Sequence, residues 1–300
     1  MKIVDQENIS EIIIGPKIFS KNKYKKIFEE MENRNIRIRN MNISKNYIKN
    51  FIIKTLEPKI NFYDIINRPK IFVDKKILKR KIYNKNILVT GGGGSIGGEL
   101  CNEILKHSPK KLYILDLSEI NLFNIINKLK DNFKNYKKIV RPILGDCSDQ
   151  NFLKNFFSKL YLDDIYHAAA YKHVTFGEEN PYSIIKNNII GTKTIIDFAV
   201  FKKIKNFIFI SSDKAVNPKS MLGYTKKFGE LLVNQSYLLN KKNNINFTIV
   251  RFGNVIGSSG SVIPVFLNQI SKKNPLTVTN KNAERYFMSI SEAVQLVINS

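Results

Sequence analysis

From Ile87 onward the chain alternates short apolar runs with longer stretches whose apolar positions recur at helical spacing. The runs Asn86–Thr90, Lys111–Leu115, Lys138–Leu144, Asp164–Ala169, Asn206–Ser211 and Phe247–Phe252 are predicted strands. Between them, helices are predicted over Gly97–Lys106, Glu119–Asn132, Asn151–Leu160, Pro181–Phe201 and Leu222–Leu239. Six strands joined by helical crossovers describe an α/β protein with a doubly wound parallel sheet. Beyond Phe252 the regularity fades and Gly and Ser cluster.

The first 85 residues follow a different pattern. Ile9–Ile14 and Ile36–Ile38 read as strands and Lys21–Asn33 as a helix between them, a single βαβ unit too small to bury its own sheet. Residues 56–85 read as a basic connector with Pro58 and Pro69. The expected organisation is a partial N-terminal α/β segment over 1–67, a linker to about residue 85, and a main domain over 86–300. The N-terminal segment reads as the end of a larger domain. No apolar run approaches the about 20 residues of a membrane helix, and Asp5, Glu7 and Glu11 interrupt any secretory signal. A cytoplasmic protein is expected, at most peripheral to the inner membrane.

Lys plus Arg exceed Asp plus Glu by 49 to 25, a net charge of +24, which favours anionic partners. The lysines are scattered with Asn and Ile along the whole chain, and no basic tail, metal finger or aromatic RNA-binding signature accompanies them. Solvated lysine-rich faces are therefore expected, and no nucleic-acid partner. Cys101 and Cys147 make no disulfide framework, and no ligand set for a metal stands at zinc spacing.

The strand Ile87–Thr90 runs straight into Gly91-Gly92-Gly93-Gly94-Ser95-Ile96-Gly97 and then a helix. Glycines at 91, 94 and 97 let the backbone turn tightly and approach a pyrophosphate, whose charge the helix N-terminus stabilises. Asp116 ends the next strand about 20 residues on, where an acidic group can bind a ribose 2′-hydroxyl. A carboxylate there repels a 2′-phosphate, and Leu117-Ser118-Glu119 supply no arginine to hold one, so NAD is expected over NADP. Asp146 and Cys147 end the third strand, where an acidic side chain can meet an adenine edge; the alternative for Asp146 is a turn or N-cap carboxylate.

The fifth strand runs into Ser211-Ser212-Asp213-Lys214-Ala215-Val216-Asn217-Pro218. Ligands of open α/β sheets lie beyond the carboxyl ends of the strands, so Asp213 and Lys214 are a candidate acid–base pair, with a solvated surface ion pair as the alternative.

These motifs, with HAAAYKHV from His167, ENP from Glu179, NNIIGT from Asn187, RFGNVIGSSGSVIPVF from Arg251 and ERYFMSISEAVQLV from Glu284, resemble the extended short-chain dehydrogenase/reductases. Within them the chain is similar to the nucleoside-diphosphate-sugar 4,6-dehydratases, a UDP-N-acetylglucosamine 4,6-dehydratase family of capsule, polysaccharide and protein-glycosylation pathways. The likeness covers roughly 68–300. It implies a Rossmann-type fold with a small, partly truncated substrate-binding region after 217 and 253, and a segment before it like the end of the nucleotide-binding-like domain of long, membrane-anchored members. Most short-chain dehydrogenases carry Tyr-x-x-x-Lys; here Lys226 matches the lysine but Leu222 stands at the tyrosine, where the branch in question has methionine.

The resemblance implies a lyase that converts a UDP-N-acetylhexosamine, notably UDP-N-acetylglucosamine, to its 4-keto-6-deoxy product with tightly bound NAD. Lys214 would take the proton from carbon 5, Asp213 protonate the departing hydroxyl (a division that could be reversed), Ser212 bind the sugar and Lys226 the ribose. Thr90, Gly91, Gly94, Ser95, Ile96, Gly97, Asp116, Asp146, Cys147, Ala168 and Ala169 would contact the cofactor. Lys172, Asn254, Ser261, Val262 and Arg285 would contact the substrate, Arg285 through its planar fork on the diphosphate unless it pairs with Glu284. Ser259 replaces an arginine common in the family. His167 and His173 are expected to close the strand-to-loop turn, and Phe287 and Met288 to be core. A homo-oligomer is expected. The rival readings are a UDP-sugar 4-epimerase, disfavoured by Leu222, and an inactive, truncated nucleotide-binding remnant.

Overall fold

The structure, a computed structural model, describes residues 9, 11–14, 30–31, 36–40, 73–258, 261–278 and 280–300. The chain divides into two units, Met1–Ile60 with Ile270–Asn274, and Asn61–Gln269 with Pro275–Ser300. In the first, β1 (Glu11–Ile14) pairs in parallel with β2 (Arg37–Asn40), Ile12 opposite Ile38. The helix expected over Lys21–Asn33 lies outside the described residues except for Glu30 and Met31, which are helical.

In the second unit α1 (Lys75–Ile82) leads into β3 (Asn86–Thr90), α2 (Ser95–Lys106), β4 (Lys111–Asp116), α3 (Glu119–Asn132) and the single turn α4 (Tyr136–Ile139). β5 (Val140–Leu144), α5 (Gln150–Phe156), β6 (Asp164–His167), α6 (Val174–Glu179) and α7 (Pro181–Ile185) follow. A π-helical turn, Lys186–Ile190, joins α7 to α8 (Gly191–Phe201). β7 (Asn206–Ile210), α9 (Met221–Leu239), β8 (Asn246–Val250), β9 (Asn254–Ile256), α10 (Val262–Ser271), β10 (Phe287–Ser289) and α11 (Ile290–Asn299) complete the order.

Six strands form one parallel sheet in the order β5-β4-β3-β6-β7-β8. The order reverses between β3 and β6, and a crevice opens at such a switch point beyond the carboxyl ends of the strands. All five residues of β3 are buried. Ile87 and Val89 join the core shared with Leu78, Leu100, Ile114 and Val297, whereas Leu88 joins the other, with Leu115, Phe157, Phe198, Phe207 and Val233. Each large apolar side chain so buried contributes about 1.5–3 kcal/mol.

Two expectations are corrected. The basic connector contains α1, because Leu78 and Ile82, one turn apart, are buried while the lysines and Arg80 face solvent. Asp74 caps it, its side chain accepting from the Lys76 N–H at 2.8 Å, and α11 anchors it through Val73 N–H to Gln295 Oε1 and Lys81 Nζ to the Ser300 carbonyl. The stretch after Phe252 is ordered as β9 paired in parallel with β10, and as α10 and α11. A capping box between Ser289 and Glu292 starts α11. Strand ends shift by a few residues: β5 begins only at Val140 because Tyr136–Ile139 make a helical turn, and β6 stops at His167. Among the described residues no helix is long and apolar enough to cross a membrane.

Candidate active site

A cavity of about 790 Å³ opens at the switch point, lined by the glycine turn on one side and by the ends of β7 and β8 on the other. A second, of about 270 Å³, adjoins it along β4 and β5 and shares Gly91, Gly94 and Asn121 with it. The turn is shaped by close approaches that a side chain would prevent. Gly91 has φ +64°, and a Cβ there would stand 2.6 Å from the Ala169 backbone; a Cβ on Gly97 would stand 2.1 Å from the Gly91 carbonyl oxygen. Gly94 is the N-cap of α2 with no side-chain cap, so the helix N-terminus faces the cavity through backbone alone. Ser95 and Ile96 line the larger cavity, Thr90 and Ala169 the smaller, and Ala168 both.

Asp116 is buried at the end of β4, accepting from Gly93 N–H at 2.8 Å on one oxygen and Ser118 N–H at 2.9 Å on the other. It thus fixes the glycine turn while keeping acceptor capacity toward the smaller cavity, which it lines. Asp146 lines that cavity too, and accepts from Ser148 N–H at 2.7 Å in the local turn weighed as its alternative role. Burial pushes the Cys147 thiol up to about 12, so it packs as a neutral side chain.

Beneath the crevice floor, His167 is fully buried in a hydrogen-bonded chain. The Thr192 hydroxyl donates to the Asn188 carbonyl at 2.6 Å, so Thr192 Oγ1 accepts from His167 Nε2–H at 3.0 Å. Nδ1 then accepts from the Thr90 hydroxyl at 2.6 Å, and Thr90 Oγ1 from the Ala169 N–H at 3.4 Å. The tautomer follows from this network. Burial, then the nearby Lys226 charge, push His167 down to about 3, so the ring stays neutral. The Asn188 side chain holds both the N–H and the carbonyl of Tyr171, at 2.8 and 3.0 Å, and donates to Thr225 Oγ1 at 3.1 Å. This polar residue in the π-turn carried no sequence signal beyond its place in the NNIIGT motif.

On the opposite wall, Lys214 Nζ donates to Asp213 Oδ1 at 3.1 Å and to Asn254 Oδ1 at 3.0 Å, and Asp213 Oδ1 also accepts from the Ser212 hydroxyl at 2.9 Å. Ser212, Lys214 and Asn254 line the larger cavity; Asp213 is not among its lining residues and meets it through Ser212 and Lys214. Lys226, buried on α9, donates to the Ile210 carbonyl at 2.8 Å and stands 4.8 Å from the Phe209 ring centre. Burial pushes it down to about 8, against the raising effect of Glu230. Leu222, at the position of the missing tyrosine, is buried in the cavity wall, and Tyr224 is exposed.

Of the candidate substrate contacts, Lys172, Ser261 and Val262 line the cavity, and burial lowers the Lys172 ammonium. Arg285 does not: it is exposed and donates to the Glu284 carbonyl at 2.7 Å, neither in the cavity nor on the Glu284 carboxylate. Two residues expected to be structural line the cavity. Phe287 is only half-buried, at the start of β10 in the two-stranded sheet it forms with β9, and His173, at the N-cap of α6, is exposed and packs edge-on against Phe176. Phe176, Asn180 and Ser183 also line it and were not singled out in the sequence. Nor was Glu230, whose buried carboxylate meets Ser211 and Arg251. Among the described residues no cluster of His, Cys, Asp or Glu could hold a metal ion. The arrangement offers a backbone cradle for an anion, an acceptor for a ribose, and an amine facing the space between, with a carboxylate behind it reached through Ser212 and Lys214.

The profile of a family described as polysaccharide biosynthesis protein matches residues 87–300. The capsular polysaccharide biosynthesis protein CapD of Staphylococcus aureus is 40% identical over 81% of this chain, which spans 40% of that protein. A UDP-glucose 4-epimerase of Rickettsia bellii is 34% identical, and a UDP-N-acetylglucosamine 4,6-dehydratase (inverting) of Campylobacter jejuni 33%, each over 72% of this chain; the chain spans 62% and 63% of them. Among solved structures, Pen from Bacillus thuringiensis is 36% identical with a TM-score of 0.67, over 72% of this chain and 67% of that one.

Proposed function

The chain belongs to the polysaccharide biosynthesis protein family, and we propose from that membership and the site's geometry that it is an NAD-dependent 4,6-dehydratase of UDP-N-acetylglucosamine. One observation carries the reading: the Lys214 amine, held between Asp213 and Asn254, lines the same cavity as the glycine turn. The cradle fits NAD, since Gly91 and Gly97 leave no room for a side chain and Asp116 keeps acceptor capacity for a ribose hydroxyl. Thr90, Gly94, Ser95, Ile96, Asp146, Cys147, Ala168 and Ala169 would complete the cofactor's surroundings, and Lys226 would bind a ribose. When bound, NAD would take hydride from carbon 4 and return it at carbon 6, with the proton shed by the 4-hydroxyl matched by the one taken up at carbon 5, so that the sugar loses only water.

The chain's own residues move the protons. Transfer across the 3.1 Å Lys214–Asp213 bond leaves a neutral amine and a carboxylic acid. Lys214 then takes the proton at carbon 5, and Asp213 passes its proton to the Ser212 oxygen as the Ser212 hydroxyl gives its own to the hydroxyl departing from carbon 6, so that the pair returns to its charged form as water leaves. The Asn254 carbonyl oxygen holds a second N–H of the amine and so orients its lone pair. Ser212 binds the sugar, and Lys172, Ser261 and Val262 border it; Arg285 would join the diphosphate only by leaving the Glu284 carbonyl.

The similarity to a named 4-epimerase favours a second reading through the same 4-keto sugar; Leu222, in place of a phenol, speaks for elimination. Incubation with UDP-N-acetylglucosamine and NAD separates them by mass spectrometry. A product lighter by one water supports the dehydratase, a product of unchanged mass the epimerase, and no product with no bound NAD an inactive remnant. The homo-oligomer is likewise a proposal, and light scattering of the purified chain tests it.

A further inference from the structure

Lys226 and Glu230 lie four residues apart on α9, the spacing that places side chains on one face of a helix. Both are buried, and both grip the end of β7. Lys226 Nζ takes the carbonyl of Ile210, the last residue of the strand, and Glu230 Oε1 accepts from the hydroxyl of the next residue, Ser211, at 2.6 Å. The same carboxylate receives the Arg251 fork, Nε on Oε1 at 2.7 Å and Nη2 on Oε2 at 2.5 Å. Arg251 is the first residue after β8.

One carboxylate therefore ties the ends of two neighbouring strands at the point where each delivers a group to the cavity. Ser212 and Lys214 follow Ser211, and Asn254 follows Arg251 by three residues. Backbone bonds continue the register, Ser211 N–H to the Val250 carbonyl at 2.8 Å and Asp213 N–H to the Phe252 carbonyl at 3.1 Å. The outcome is the 3.0 Å contact between Lys214 Nζ and Asn254 Oδ1. A buried ion pair is weak evidence of stability, because desolvation offsets most of its attraction. What a forked, charge-assisted pair does supply is geometry.

We propose that Glu230 is a positioning residue for the acid–base pair: its carboxylate sets the register between the loops carrying Lys214 and Asn254, and so the place of the Lys214 amine in the cavity. The catalytic part of this inference rests on the reading that Lys214 takes the substrate proton; the register part does not.

The test compares the full chain, loaded with NAD, as wild type, Glu230→Gln and Arg251→Lys. Gln keeps the shape and one acceptor but loses the charge, and Lys keeps the charge but loses the fork. Both variants are expected to bind NAD as wild type does, with kcat lowered roughly 10–100-fold, the scale of a small misplacement of reacting groups. KM stays within about twofold, since ground-state binding is untouched. Hydrogen–deuterium exchange rises at residues 211–216 and 251–256 and not elsewhere in the sheet. A kcat within about twofold of wild type per folded molecule in both variants, or faster exchange spread evenly over the sheet, overturns the proposal. Should Glu230→Gln not fold, Arg251→Lys decides, because Arg251 lies at the partly exposed edge. If the wild type turns over no UDP-sugar, the catalytic reading fails separately and exchange still decides the register.

Discussion

At the amino ends of its strands the central sheet buries Asp163 and Asp164; at the carboxyl ends it buries Asp116 and Glu230 and half-buries Asp213. Asp163 accepts from the Asn86 N–H at 2.9 Å and pairs with Lys205, while Asp164 accepts from Lys85 Nζ at 2.7 Å and Asn206 Nδ2 at 2.6 Å. These partners stand at the starts of β3 and β7, so the carboxylates fasten strand to strand. The carboxylates at the other end hold Gly93, Ser211 and Lys214, and every one of those lines the larger cavity. The bonds are of the same kind. What differs is whether at least one partner also faces the cavity, and on the proposed function that separates a charge kept for stability from one kept for chemistry.

Substitutions at the two ends should therefore fail in opposite ways. Lys214→Ala is expected to lower turnover by about 10²–10⁴-fold, the usual worth of a positioned acid or base, with the melting temperature and NAD binding unchanged. Asp164→Ala, which leaves Lys85 beside an empty buried site, is expected to cost about 3 kcal/mol in urea unfolding, with kcat per folded molecule intact. A collapse of kcat in folded Asp164→Ala would break the contrast.

His167 sharpens it, being a structural group at the working end. Its folded value of about 3 lies below the ordinary histidine value of 6.5, so the unfolded chain takes up a proton first as the pH falls. Its contribution is complete above pH 6.5 and declines below it, by about 1 kcal/mol per pH unit, before carboxylates titrate. His167→Gln should flatten unfolding free energy between pH 6.5 and 5. The smallest effect belongs to Asp163. Burial raises it, but the Asn86 N–H, Lys205 and Lys85 together hold it below the usual carboxylate range. Its contribution is present above that range and lost as pH falls through the folded value, so Asp163→Asn should lower stability slightly at neutral pH and make the fall toward acid pH shallower, as urea unfolding across the pH range would show.

The glycine turn and its sheet were legible because β3 is apolar throughout and runs directly into glycine, a local signal that needs no distant partner. Asp213 and Lys214 were legible for a similar reason, as charges at the end of an apolar strand. α1 was hidden: in KKILKRKI the charges outnumber the apolar positions, and its two buried residues are stabilised by docking on α11, more than 200 residues away in sequence. Glu230 was hidden because its meaning lies in Ser211 and Arg251, each about 20 residues distant. Arg285 was read from motif position alone, and side-chain direction is not written there.

The crevice has one more consequence, for reagents rather than substrates. A solvated ammonium ion ignores electrophiles near neutrality, whereas an amine whose charge is disfavoured by burial does not. Lys226, at about 8, is partly discharged there and lines the cavity, with the lowered Lys172 as its companion. A small acylating probe at mild alkalinity should mark these two ahead of the rest, and whatever occupies the crevice should shield them, which gives labelling kinetics as a footprint of ligand entry.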